Sequence, residues 1–178
     1  MSNLKDIKLD ELLDIEFRNL YSHISTCPKG GRYMTLQVEV LDSEAQLIEN
    51  ILQIMQLVNL NSRNWLNYEF WKKTLPYWFV DFCSPEMTQL ENDEWLAHWR
   101  TLNESDKRSV EVRKVWSLAD WLYWMDPENR VWFYASLTTP TPQKALITIF
   151  TFEETPPIGA LEWLIKACRG KINGVSLD

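Results

Sequence analysis

Few side chains in this 178-residue chain have the type and spacing that catalysis or metal binding requires. Glu94 and His98 are four residues apart, so a helix would bring both to one face as half of a metal site. His23 and Cys27 have the same spacing and could form a base and nucleophile pair, but Pro28 is expected to end that helix. No other ligand follows at a metal-binding spacing. We therefore predict no metal ion and no cofactor.

The remaining candidates for chemistry also have structural explanations. Asp120 and Asp126 could act as a general acid and base, yet Asp120 suits a helix start and Asp126 suits a turn. The Gly30-Gly31 pair is not followed by the Gly-Lys-Ser/Thr of a phosphate loop. The sequence contains neither GxSxG nor HExxH. These patterns predict a protein that is not an enzyme and has no catalytic residues.

The acidic composition restricts the possible partners. Lys and Arg number 18 against 25 Asp and Glu, which gives a net charge of −7 and a pI near 4.9. This balance argues against nucleic acid or an anionic membrane as a partner and permits a basic protein.

Cysteine spacing and the distribution of apolar residues indicate the compartment. Three widely spaced cysteines without a CxxC motif are typical of reduced thiols. No apolar run approaches the ~20 residues of a membrane span, and charge from Lys5 onward argues against a signal peptide. We expect a cytoplasmic protein.

The stretch 116–137 contains four of the ten tryptophans and is the expected packing centre of the fold. Ser117 and Asp120 have the spacing of a capping box, so a helix should begin there. The segment 126–129 predicts a turn, and 130–138 alternates as a strand with aromatic residues on both faces. Such a strand should be covered on both sides or border a contact surface.

The whole chain is predicted to be one α+β domain, 1–178, with a Trp-rich core and a small antiparallel sheet. The sheet should contain a hairpin of 130–138 with 144–152, joined by a loop at 139–142, and a strand at 33–41. About five to six helices should pack with it. The predicted helices are 8–25, 43–60, 64–74, one from Ser84 to Leu102, the helix that begins at Ser117, and one from Thr155 to Gly170. A short second segment follows Pro76. The tail 171–178 is expected to be loose.

Two apolar regions leave alternatives open. Eight aromatic residues between 65 and 82 could fill the core or line a groove, and we favour the core. Trp163 lies opposite the main apolar face of the last predicted helix, among small residues. It should pack against another element or another chain, so a homodimer through this face is possible.

An acidic block is the strongest candidate for a binding surface. Between 84 and 106 there are six acidic residues against Arg100 alone: Glu86, Glu91, Asp93, Glu94, Glu104 and Asp106. The next segment, 107–114, is basic, with Lys107, Arg108, Arg113 and Lys114 against Glu111. Solvated helix faces would explain both segments, whereas docking of a basic partner is the more specific interpretation.

Two segments resemble small proteobacterial immunity proteins associated with polymorphic or contact-dependent growth-inhibition toxins. They are WSLADWLYWMDPENRVWFY at 116–134 and TPPIGALEWLIKACRG at 155–170. The resemblance covers about a fifth of the chain and implies fold more than activity. It would make the protein a stoichiometric inhibitor that covers the active site of a cognate toxin in the cytosol.

The acidic block is then the expected contact surface, since many such toxins are basic. Glu91, Asp93 and Glu94 would be its central members, with exposed aromatic residues as anchors. Two alternatives are a homo-oligomeric interaction module that associates through Trp163 and a small-ligand-binding protein, or cryptic enzyme, with an aromatic pocket at 65–82.

Overall fold

The computed structural model describes residues 8–22, 24–113 and 115–178. Within these ranges the fold is α+β, as the sequence predicts, with eight α-helices and a four-stranded antiparallel sheet. The helices are α1 (Leu9–Ser22), α2 (Glu44–Asn61), α3 (Tyr68–Thr74), α4 (Tyr77–Phe82), α5 (Gln89–Thr101), α6 (Glu104–Arg113), α7 (Leu118–Met125) and α8 (Gly159–Ala167). The strands are β1 (Arg32–Val40), β2 (Trp132–Thr141), β3 (Lys144–Thr151) and β4 (Gly170–Leu177). No helix in the described ranges is both long and apolar enough to cross a bilayer.

The predicted hairpin is confirmed as β2 and β3, and the sheet order is β2-β3-β1-β4. Its loop is shorter than predicted, because β2 continues through Pro140 to Thr141 and the turn is reduced to Pro142 and Gln143. Proline is tolerated at this position because β2 is an edge strand, where a missing N–H breaks no ladder bond.

The sheet separates two apolar clusters. One face carries Leu36 and Val38 of β1, which pack in the larger core with α2, α7 and α8. The other face carries Phe133 and Phe150, which stack at 5.4 Å beneath α1. The predicted coverage of β2 on both sides is therefore confirmed, since alternate side chains of β2 belong to the two clusters.

The C-terminal segment differs most from the prediction. Residues 171–178 are not a loose tail, because β4 pairs with β1 over most of its length. Gly170 is not a helix-capping residue but the first residue of β4. Arg169, with φ of 65°, takes the left-handed conformation after α8. The alternation of β4 is weak, with glycines at both 170 and 174, so the sequence pattern gave little signal for a strand.

Gly170 is predicted to be intolerant of substitution. A Cβ there would lie 2.7 Å from both Ile165 Cγ2 and Val38 Cγ1, inside the packed core. We expect Gly170→Ala to lower the free energy of unfolding by about 1–3 kcal/mol, as overpacking does. Gly174→Ala in the same strand is the matched control, since its nearest neighbour is Gln37 Cδ at 3.7 Å. Urea titration of both variants measures the difference, and equal stabilities would contradict the prediction.

A buried ion pair joins α1 to the start of β2. The other acidic residues of α1, Asp10, Glu11 and Asp14, are exposed, whereas Glu16 is fully buried. Its two carboxylate oxygens accept bonds from Arg130 Nη1 and Nη2 at 3.0 and 2.8 Å. Asn59 Nδ2 and the backbone N–H of Tyr134 donate to the same carboxylate at 2.9 and 2.8 Å. One acidic side chain therefore connects α1, α2 and β2.

The aromatic segment 65–82 contributes to the core, as favoured from the sequence. Trp71 and Phe79 are fully buried, and Phe79 meets Trp121 edge to face at 4.6 Å. Tyr77 and Phe82 are the exceptions, since they are 80% and 37% exposed. These contacts give the segment a structural role.

Candidate protein-binding surface

The acidic block lies on a pair of helices, α5 and α6, that follow one another with only two residues between them. We call residues 86–106, which contain α5 and the first turn of α6, the acidic helix pair. Helix α5 begins later than predicted, because Ser84 is not its N-cap residue. Ser84 instead forms a parallel bridge with Ser117, its N–H donating to the carbonyl of Trp116 at 2.9 Å. The segment 84–87 is thereby fixed beside the start of α7.

Thr88 and Glu91 cap α5. The Thr88 hydroxyl accepts from the Glu91 N–H at 3.3 Å, and Glu91 Oε2 accepts from the Thr88 N–H at 2.8 Å. This reciprocal arrangement is a capping box, which satisfies backbone donors that the first helical turn leaves free. Glu91 was predicted to be a contact residue, and its carboxylate has this structural role as well.

The capping box predicts a local dependence on pH. The hydrogen bonds from the backbone N–H of Thr88 and then from its hydroxyl hold the pKa of Glu91 below its usual value. A lowered pKa means that the stabilisation is fully present above the unfolded-state pKa and is lost as pH falls through the folded-state pKa. We expect the Thr88 amide resonance to titrate with a midpoint below 4.5, measured by NMR between pH 6 and about 2.5. The same resonance in Glu91→Gln should not titrate in this range; a midpoint above 4.5 in the native protein would contradict the capping role.

Helix α5 is amphipathic but contributes no buried residue to the core. Its inner face carries four half-buried side chains: Asn92, Trp95, Leu96 and Trp99. The Trp95 and Trp99 rings stack at 5.3 Å with an interplanar angle of 20°. Its outer face exposes Leu90, Asp93 and Glu94 to solvent. Leu90 is 68% exposed beside these carboxylates, so the outer face presents apolar as well as acidic groups to solvent.

The six predicted contact carboxylates are all exposed, and most of them make short-range contacts. Asp93 accepts from Gln89 at 2.9 Å, Asp106 accepts from Asn103 at 2.7 Å, and Glu104 pairs with Lys107 at 3.7 Å. Glu86 accepts from the Ala119 N–H at 3.0 Å, in the first turn of α7. For Glu94 no hydrogen bond or ion pair occurs with any described residue. Such local contacts between exposed groups are weak and leave the negative charge available to a partner.

A partly enclosed cleft lies where the acidic helix pair meets the start of α7. Its volume is about 630 Å³. Polar and apolar side chains line it, including Glu86, Met87, Trp95, Val110 and Asp120. No sequence pattern indicates this cleft, because its walls come from three separate segments of the chain. None of the aromatic residues at 65–82 is among its lining residues, so it is not the aromatic pocket considered above.

Trp163 is the predicted contact residue that the structure removes from the surface. Its side chain is only 5% exposed and packs on Phe82, with ring centroids 4.8 Å apart. Lys166 Nζ lies 5.3 Å from the same ring. Of the two expected locations for Trp163, another element of the same chain is the one observed. Trp163 therefore presents little surface to another chain in this conformation, and the homodimer stays a prediction.

Several predictions concern residues outside the described part. His23 and Lys114 lie outside it, as do the side chains of Arg108, Glu111 and Arg113, so neither the His23–Cys27 pair nor the basic segment is described. Cys27 follows α1, which ends at Ser22. No group of three or more His, Cys, Asp or Glu side chains among the described residues is placed to hold a metal ion.

Comparison with known proteins adds no relative. No protein-family model, no curated protein and no solved structure matches this chain. The class that the structure defines is therefore an α+β protein with an aromatic core and an exposed acidic helix pair. The resemblance to immunity proteins stays a prediction.

Proposed function

We propose that this chain is an inhibitory binding protein that docks a basic protein through the acidic helix pair. The single observation that carries the proposal is that α5 contributes no buried residue while its outer face presents carboxylates beside exposed Leu90. A 13-residue helix gains little from its own packing here, and most helical stability in proteins comes from such packing. Coverage by a partner would supply the missing contacts.

The charge distribution determines the kind of partner. Glu86, Asp93 and Glu94 are exposed together on or beside α5, and their combined field attracts a positively charged surface over about one Debye length, ~8–10 Å at ordinary salt. Complementary charge raises the association rate and excludes acidic competitors. Met87 and Leu90, which are 56% and 68% exposed, would be the apolar anchors within this charged rim.

The resemblance at 116–134 and 155–170 supplies the biological context of the proposal. Those segments resemble immunity proteins, which would make the basic partner a cognate bacterial toxin, the location the cytosol, and the consequence of binding a blocked active site. The chain itself would then have no catalytic step. Its task would be to form a stoichiometric complex before the toxin reaches its substrate.

We predict that neutralising the acidic helix pair weakens binding of the partner. The variant combines Asp93→Asn, Glu94→Gln and Glu104→Gln and leaves the Thr88–Glu91 capping box intact. Three charge pairs at roughly 0.2–1 kcal/mol each predict about a tenfold loss of affinity at low salt. The binding partner is a basic protein recovered by pull-down with the native chain from a lysate of the source organism. Its dissociation constant is measured by calorimetry at low and high salt.

A matched control removes the same charge elsewhere. Glu128, Glu153 and Glu154 are exposed and lie outside the acidic helix pair, so their replacement by glutamine removes the same amount of negative charge. The control variant should bind as the native protein does and keep its salt dependence. Equal affinities for the two triple variants, or affinity that does not change with salt, would contradict the proposed surface.

A further inference from the structure

The cleft beside α7 has a carboxylate held in place. Glu86 Oε1 accepts from the Ala119 N–H at 3.0 Å, and the adjoining backbone at Ser84 is bridged to Ser117. Partial burial and then the nearby negative charge of Glu86 raise the pKa of Tyr68. The carboxylate therefore has a fixed position and remains exposed to solvent. A group fixed before binding loses little conformational entropy when a ligand arrives.

An aromatic ring forms another part of the cleft wall. Trp95 lines the cleft and is held against Trp99 by the ring stack at 5.3 Å. Met87, Val110 and Val115 add apolar surface. Of the lining residues that the structure describes, none is basic, whereas Glu86 and Asp120 are acidic. A planar cation with an aliphatic stem matches these walls, because it can stack on an indole and pair with a carboxylate.

We propose that the cleft binds an arginine side chain of the basic partner, which pairs with Glu86 and stacks on Trp95. This rests on the proposed function and adds the chemistry of the central contact. The cleft of about 630 Å³ is within the usual range for ligand sites and larger than one guanidinium requires. Residues that flank the arginine therefore enter with it. Arginine in a partly desolvated pocket is a common hot spot of protein interfaces.

The experiment uses the tripeptide acetyl-Gly-Arg-Gly-amide as the probe and NMR of the full chain as the readout. We expect saturable shifts of the Trp95 indole N–H and of the Ala119 amide, which reports on Glu86. The counterpart with citrulline has the same shape without the charge and should produce no saturable shift. A lysine counterpart should bind more weakly, since an ammonium cannot pair bidentately.

Glu86→Gln tests the carboxylate without removing the bond to Ala119, because the amide oxygen can still accept. We expect affinity for the arginine tripeptide to fall about tenfold, as for loss of a charge-assisted hydrogen bond. Glu94→Gln on the outer face is the control and should change affinity less than twofold. The proposal is overturned by equal binding of the citrulline peptide, by unchanged affinity of Glu86→Gln, or by no saturable shift at Trp95 and Ala119.

Failure of this inference is distinguishable from failure of the proposed function. If the triple variant at Asp93, Glu94 and Glu104 loses the protein partner while Glu86→Gln retains full affinity, the cleft contact is wrong and the acidic docking surface stands. If the arginine tripeptide binds in the cleft but no protein partner depends on the acidic side chains, the docking function is wrong and the cleft is a site for a small cationic ligand.

Discussion

Arg130→Met is expected to lower the free energy of unfolding by about 3–5 kcal/mol, the usual result of removing one partner of a buried ion pair. Both side chains of the Glu16–Arg130 pair are fully buried. Without the guanidinium, the Glu16 carboxylate would keep only the N–H donors of Asn59 and Tyr134. The loss corresponds to a decrease of roughly 10 °C in the unfolding temperature for a chain of this size.

An exposed ion pair provides the matched control. Arg63 pairs with Asp10 and Asp14 across the surface between α1 and the end of α2. Arg63→Met should cost less than about 1 kcal/mol, because exposed pairs are screened and mobile. Both variants are compared by urea denaturation. Equal costs would show that burial of the Glu16–Arg130 pair does not determine its contribution.

Adding Glu16→Gln to Arg130→Met separates the charge from the hydrogen bonds. Glutamine still accepts from the N–H of Tyr134, so the double variant should be more stable than Arg130→Met alone. It should remain less stable than the native protein for two reasons. Asn59 loses the carboxylate oxygen that accepts its N–H. The Trp132 and Phe133 rings, whose centroids lie 5.0 and 5.2 Å from the Arg130 guanidinium carbon, lose their contact with the cation. A double variant no more stable than Arg130→Met would contradict this account.

Trp121→Ala is expected to destabilise the fold by about 3–5 kcal/mol, through lost burial and the cavity that remains. The Trp121 side chain is fully buried in α7, and its indole N–H donates to the carbonyl of Ala160 at 3.0 Å. The same ring meets Phe79 of α4 edge to face at 4.6 Å. One side chain therefore holds α4, α7 and α8 together, and its removal also loses the hydrogen bond to the Ala160 carbonyl.

Tyr123→Ala, two residues further along α7, is the control for Trp121→Ala. Tyr123 is 58% exposed, so its removal should change stability by less than about 1 kcal/mol. Chemical denaturation followed by circular dichroism measures both. A smaller loss for Trp121→Ala than for Tyr123→Ala would show that Trp121 is not central to the core.

The elements that the sequence predicted well are those with strong periodicity or a complete end signal. Helix α7 begins after Ser117, whose hydroxyl accepts from the Asp120 N–H at 3.1 Å as the capping spacing predicts. Helix α2 and the β2–β3 hairpin also lie close to their predicted bounds. In these segments the local conformational preference and the tertiary environment favour the same structure, so the sequence pattern alone is sufficient to predict the element.

The elements whose bounds were predicted wrongly are those where two local sequence signals competed or where no signal was strong. Ser84 and Pro85 have the form of a helix start, but Thr88 and Glu91 supply the reciprocal bonds and α5 begins there. The sequence identified Glu86 as a surface carboxylate without indicating that it accepts from Ala119, since 33 residues separate the two. The cleft could not be predicted for the same reason.

The sequence by itself determined the α+β class, the aromatic composition of the core, most helices, the hairpin and the concentration of acidic residues between 86 and 106. Only the tertiary structure decided which polar and aromatic side chains are buried. Glu16 is inside because Arg130, 114 residues away, meets it there, and Trp163 is inside because Phe82 covers it. Periodicity reports the face of an element on which a side chain lies, whereas burial depends on which distant element packs against that face.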